Sequence, residues 1–93
     1  MEQISIKDLL NINNPNIIDI RRREKYNRGH IKGAISIPKE EFINYLSSFS
    51  KNKNYYIYCD SGVRSLKLVK QLNSLGYNFT NIEGGYNNYL LRK

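Results

Sequence analysis

The chain is expected to form an α/β fold, a sheet with parallel pairings and helices on both faces. Short apolar runs (Ile17-Ile18-Asp19-Ile20, Tyr55-Tyr56-Ile57-Tyr58, Phe79-Thr80-Asn81-Ile82) alternate with helical patterns such as residues 65–75. Runs that short and that continuous suit strands buried on both faces. Strands and helices taking turns along a chain call for crossover connections, hence a parallel sheet. Neither a repeat nor a linker interrupts the pattern, and residues 1–93 read as one domain.

The elements follow in order. Ile4-Ser5-Ile6 makes a short strand leading into a helix over residues 7–10, and Asn13-Asn14-Pro15-Asn16 is a turn cluster. Residues 17–20 form a central strand whose one acid, Asp19, needs a partner, with Arg21 to Arg23 close in sequence. Asp19 reads better as a structural carboxylate tying loops together than as a catalytic one. A helix or helical turn over residues 21–28 carries Arg21, Arg22, Arg23, Lys25 and Arg28 against a lone Glu24. Gly29-His30-Ile31-Lys32-Gly33-Ala34 is a compact loop, and Ile35-Ser36-Ile37-Pro38 a strand closed by proline. His30, the sole imidazole, reads as a loop residue bonded to backbone carbonyls, since nothing around it resembles a base held by a third group. Residues 39–46 are expected as a helix with Phe42, Ile43, Tyr45 and Leu46 inward. A polar connection over 47–54 leads to the strand at 55–58. A helix over 65–75, with Leu66, Leu68, Val69, Leu72 and Leu75 apolar, ends at Gly76. After the strand at 79–82, Glu83-Gly84-Gly85 turns the chain into a last helix over residues 86–91.

Composition narrows the function. The formal charge of +7 and pI near 9.6 favour anionic partners. Nucleic acid is disfavoured, because no recognition motif accompanies the basic run. A single cysteine excludes an internal disulfide, and with no signal peptide in view the expectation is a reducing, cytoplasmic setting. The apolar runs are too short for a membrane span. One His and one Cys argue against a dedicated metal site, and no cofactor is implied.

The chemistry concentrates in Cys59-Asp60-Ser61-Gly62-Val63-Arg64-Ser65, where the apolar strand gives way to the helix. In open α/β sheets, sites lie beyond the carboxyl ends of the strands. Amides at a helix start have no intrahelical partners, and a loop wrapped over them aims its N–H groups at one centre. Gly62 permits the positive φ that closes such a loop, Arg64 adds a fixed cation, and Ser65 is suited to cap the helix. A thiolate at Cys59 would be stabilised by the same field. Cys59 is therefore the expected nucleophile, in preference to a buried packing cysteine.

These residues resemble the rhodanese family of sulfurtransferases over essentially the whole chain. Asp19-Ile20-Arg21 with Tyr26, Gly29-His30-Ile31, Gly33-Ala34 and Ile37-Pro38 is similar to the family's first-half signature. The cysteine heptapeptide is similar to its active-site loop, and Gly76-Tyr77 with Asn81-Ile82 and Gly84-Gly85 to its end. The resemblance implies a five-stranded, mostly parallel sheet. It implies that Cys59 takes a sulfane sulfur from a donor (thiosulfate or a protein persulfide), becomes a persulfide, and passes the sulfur to a thiophilic acceptor. It gives residues 60–65 (Asp60, Ser61, Gly62, Val63, Arg64, Ser65) as the anion-binding loop, and Asp19, Arg21, Glu24, His30 and Gly33 as supports.

Two departures stand out. Tyr89 occupies a position where the family usually has Trp, a packing change. Asp60, directly after the nucleophile, is an acid where basic residues suit thiosulfate; an inward carboxylate would oppose a dianion and raise the thiol pKa. Two rival readings are a cysteine phosphatase or arsenate reductase and a non-catalytic scaffold or persulfide carrier. The first resembles this loop but places five residues between Cys and Arg, where this chain has the four residues Asp60, Ser61, Gly62 and Val63. For the second, retention of the cysteine that inactive members typically lack opposes a non-catalytic scaffold and leaves open a persulfide carrier serving one protein partner.

Overall fold

The computed structural model describes residues 2–92. Strands β1 (Gln3–Ile4), β2 (Asn16–Asp19), β3 (Ile35–Ser36), β4 (Asn54–Tyr58) and β5 (Asn78–Ile82) alternate with helices α1 (Ile6–Leu9), α2 (Arg23–Arg28), a 3-10 helix (Lys39–Ser48) and α3 (Val63–Ser74). Helix α4 (Gly85–Leu91) closes the chain. The five strands lie in the order β1-β5-β4-β2-β3, every pairing parallel.

That order carries the chain from β2 outward to β3, then back past β2 to β4. With right-handed crossovers, α1 and α2 fall on one face of the sheet and the 3-10 helix and α3 on the other. Two cores record this. Ile18, Tyr55, Ile57, Cys59 and Phe79 pack with Phe42, Val69 and Leu72; Ile17, Tyr58 and Ile82 pack with Ile6, Leu9 and Ile31. Ile17 and Ile18 thus face opposite ways, as the two-residue strand period requires. The same alternation sends Cys59 toward the α3 side and Tyr58 toward the α2 side. Loops leaving β2 and β4 diverge, opening a crevice at their carboxyl ends.

Several boundaries depart from the sequence reading. Ser5 is the cap of α1, its Oγ accepting from the Asp8 N–H at 3.1 Å, and the first strand ends at Ile4. Arg21 and Arg22 precede α2, and Arg21 is buried. Residues 39–48 wind as a 3-10 helix, and only Phe42 and Leu46 of the four expected residues face the core; Ile43 is 70% exposed. The rings of Phe42, Phe49, Tyr55 and Phe79 interlock with centroids 5.0–5.7 Å apart. Ile43 and Tyr45 lie outside this cluster and face solvent. Helix α3 starts at Val63, two residues early, and buries Val69 and Leu72 while Leu75 stays exposed. Gly76, at φ +95°, ends it as expected, with Tyr77 N–H returning to the Leu72 carbonyl at 3.3 Å.

Candidate active site

Tyr58 ends β4, and the next residue is Cys59. The loop that follows closes over the first turn of α3, capped by Gly62 at φ +89°. A Cβ there would stand 3.0 Å from the Gly84 amide nitrogen, so the position has both a conformational and a steric need for glycine. Ser65 is therefore not the cap. It lies within the first turn of α3, wholly buried, with its Oγ 3.3 Å from Cys59 Sγ. The Gly62 N–H donates to the same sulfur at 3.1 Å.

On the outer side, the Cys59 and Asp60 carbonyls accept from the Tyr86 and Asn87 N–H groups, both at 3.0 Å. Those are amides at the start of α4, which have no partners in their own helix. A trans peptide points its N–H opposite its C=O. Anchoring both carbonyls to α4 thus turns the Asp60 and Ser61 amides away from α4, back across the loop. Burial works against a charged Cys59, but the Ser65 hydroxyl and the amides of Ser65, Gly62 and Ser61 outweigh it and hold the thiol below its ordinary value. The residue is 6% exposed, and it lines a pocket of about 190 Å³ with Arg21, Lys25, Lys39, Asp60 and Arg64. Arg64 is exposed and makes no ion pair among the described residues, which leaves its guanidinium available to an incoming anion. Val63 is outward, 65% exposed, with its amide donating to Ser61 Oγ at 3.5 Å.

The expected effect of Asp60 on the thiol is not what the geometry gives. Its carboxylate meets Lys25 Nζ at 2.6 Å and Arg21 Nη1 at 3.6 Å. Partial burial works against its charge, but Lys25 and then Arg21 outweigh it and keep Asp60 below the usual carboxylate range. The negative charge is thereby matched on the rim, and the thiol is lowered.

Of the supports, Asp19 and Arg21 form the frame. Asp19, fully buried, accepts from the Arg21 N–H at 2.8 Å, from its Nη2 at 2.7 Å and from Tyr58 Oη at 2.7 Å. Arg21 Nη2 also donates to the Gly29 carbonyl at 2.7 Å, and its guanidinium stacks 4.1 Å above the Tyr86 ring. One buried side chain therefore joins β2, the Gly29 loop and α4, the helix that anchors the cysteine loop. Burial opposes the charge on Arg21, and the Asp19 carboxylate more than offsets it. His30 stacks on the Tyr26 ring at 3.8 Å with its Nδ1 2.9 Å from the Tyr26 carbonyl, and it does not line the pocket. Gly33 holds φ +87° in the 31–34 turn, closed by the Ala34 N–H on the Ile31 carbonyl at 2.9 Å. Glu24 is exposed, pairs among the described residues with Arg22 at 3.4 Å, and does not line the pocket. Tyr89 packs beside Tyr86, 5.9 Å between centroids.

Sequence reasoning gave no site role to Tyr58, nor to Asn81 and Gly85 beyond the signature they belong to, and missed the pairing of Lys25. Tyr58 is directly opposite Asp19 in the β2–β4 register, a relation visible only once strand order is known. Among the described residues no His/Cys/Asp/Glu group fit for a metal occurs, and no helix is long and apolar enough to cross a membrane.

A cysteine at a strand's carboxyl end, facing loop amides, with a matching signature in the first half of the chain, is decided by one comparison. Residues 3–92 match the Rhodanese-like domain family. The chain belongs to that family. It is 31% identical over 78 residues to the thiosulfate sulfurtransferase PspE of Escherichia coli, covering 82% of this chain and 75% of that one. The structure of a rhodanese-like domain protein from Staphylococcus aureus superposes with a TM-score of 0.84 at 38% identity, covering 96% of this chain and 91% of the other. A human single-domain sulfurtransferase, TSTD1, superposes with a TM-score of 0.88 at 25% identity, covering 100% and 98%. The all-parallel five-stranded sheet is thus a rhodanese-like fold.

Proposed function

We propose that this rhodanese-like domain is a sulfurtransferase that carries sulfur on Cys59. The reading rests on one observation: Cys59 Sγ receives a loop amide at 3.1 Å and a hydroxyl oxygen at 3.3 Å while lining an open pocket. Such a sulfur is more readily ionised for attack and better stabilised as a leaving group, the two properties double displacement needs. With thiosulfate, the thiolate attacks the outer sulfur, the S–S bond breaks, and sulfite departs with the electron pair. The charge then sits on the outer sulfur of a persulfide, within reach of the inward loop amides and Arg64. An acceptor nucleophile attacks that outer sulfur and releases the Cys59 thiolate, with no net redox change.

Donors are small sulfur anions such as thiosulfate or the persulfide of a partner protein. Asp60 bears on the choice, because it already neutralises Lys25 and faces Arg21. A persulfide, with less charge than thiosulfate, suits such a rim better. The four residues between Cys59 and Arg64 make a cradle suited to sulfur and tight for a phosphoryl group.

Initial-rate kinetics test this reading. Varying donor at several cyanide concentrations should give parallel double-reciprocal lines, the pattern of a covalent relay, and Cys59→Ser should abolish turnover. Intersecting lines, or Cys59-dependent phosphate release from an aryl phosphate with no sulfur transfer, would overturn it.

A further inference from the structure

Asn81 stands behind the active-site loop on β5, 1% exposed and outside the pocket. Its Nδ2 donates to the Gly62 carbonyl at 3.1 Å and to Gln3 Oε1 at 3.1 Å. A carbonyl oxygen only accepts, so the Gly62 contact fixes which end of the amide faces it. Asn81 Oδ1 must then face Ser65 Oγ, 2.5 Å away. Ser65 has a single hydroxyl proton and two claimants, Asn81 Oδ1 and Cys59 Sγ.

The two placements suit different states of the sulfur. With the proton on Asn81, Ser65 turns a lone pair to Sγ and can accept from an S–H; the uncharged inner sulfur of a persulfide is only a weak acceptor and leaves the proton on Asn81. A thiolate needs the proton instead, and the buried Oδ1 then loses its only side-chain donor among the described residues. We propose that Asn81 is a positioning residue that draws the Ser65 hydroxyl away from Cys59 and so sets how firmly the cysteine holds its proton. During a transfer cycle the hydroxyl swings to Sγ as the thiolate forms and back to Asn81 as the persulfide forms. This deepens the sulfur-transfer reading and rests on it, but the test reads the thiol alone, so either can fail without the other.

The charged groups around the thiol are Arg21, Arg22 and Lys25 from the β2–α2 side, Lys39 and Glu40 from the 3-10 helix, Asp60 from the loop, and Arg64 from the first turn of α3. All are unchanged in the variants compared. The pH dependence of iodoacetamide alkylation is measured for wild type, Asn81→Leu, Ser65→Ala and the double variant. Asn81→Leu should lower the midpoint by about 0.5–1 pH unit when Ser65 is present and leave it unmoved in the Ser65→Ala background. If Asn81→Leu fails to fold, Asn81→Thr replaces it, its hydroxyl one bond nearer the strand than Oδ1. An unchanged or raised midpoint beside Ser65, or an equal fall in both backgrounds, would overturn the proposal; the equal fall would mean that Asn81 acts by holding the loop at Gly62.

Discussion

Lys25 Nζ lies 2.6 Å from Asp60 Oδ2 at the mouth of the pocket that Cys59 lines. The pair is half exposed, so it adds little to stability. Its consequence is for binding: a donor anion must compete with an internal carboxylate for the same ammonium. Asp60→Arg should therefore lower the KM for thiosulfate by about threefold to tenfold and alter that for a persulfide donor less. An unchanged thiosulfate KM would remove Asp60 from the account of donor choice.

Tyr58 ties the frame together without touching the pocket. Its hydroxyl donates to Asp19 and accepts from the Ile31 N–H at 3.0 Å. Burial, with the Asp19 carboxylate beside it, pushes its ionisation far above the working range, so it stays a neutral donor. Tyr58→Phe leaves a buried N–H and a carboxylate oxygen short of a partner. It should cost about 2 kcal/mol in urea unfolding, with sulfur transfer by the folded fraction within about twofold of wild type. A larger loss of rate at saturating donor would mean that the Asp19 frame reaches the chemistry.

Gly85 is the point at which α4 grips the loop. It holds φ +58°, and a Cβ would stand 2.3 Å from the Cys59 carbonyl oxygen and 2.8 Å from that of Asp60. Backbone on both sides leaves no flexible side chain to yield. Gly85→Ala should cost about 2 kcal/mol or more in urea unfolding and reduce sulfur transfer at least about tenfold by displacing the amides. Wild-type activity would show that the loop does not depend on its anchor to α4.

The sequence carried the alternation of strands and helices because short apolar runs and turn residues are local signals. It carried Cys59, Gly62 and Arg64 because they lie within six consecutive residues, the loop and the first turn of α3. It did not carry the burial of Arg21, which sits in a run of arginines that otherwise face water. Arg21 differs through Asp19, Tyr58, the Gly29 carbonyl and Tyr86, partners that the fold brings together. Ser65 was visible as a polar residue at a helix start, but its use depends on where α3 begins. Two residues of extra helix turn it from a cap into a buried neighbour of the sulfur. Asn81 stood in the signature at the end of the chain with no role attached, since two of its partners, Gly62 and Ser65, are 19 and 16 residues away in the chain.

The Cys59 thiol has a pH signature of known sign. Its proton is held less firmly than in a free thiol, because the Ser65 hydroxyl and loop amides outweigh burial. Alkylation should rise with pH and reach half its plateau below about pH 8.5, the free-thiol value. A group lowered on folding contributes stability above its unfolded pKa and loses it as pH falls through the folded one. The stability of wild type relative to Cys59→Ala should accordingly be greater near pH 9 than near pH 6. A midpoint above the free-thiol value would mean that burial wins.

Sulfur on the protein itself can be weighed. Intact mass is recorded for wild type and Cys59→Ser after incubation with thiosulfate, or with a cysteine desulfurase and its substrate, and again after cyanide. Wild type should gain the mass of one sulfur atom and lose it to cyanide, and Cys59→Ser should gain nothing. No adduct from any donor, or an equal adduct on Cys59→Ser, would contradict a sulfur carried on Cys59.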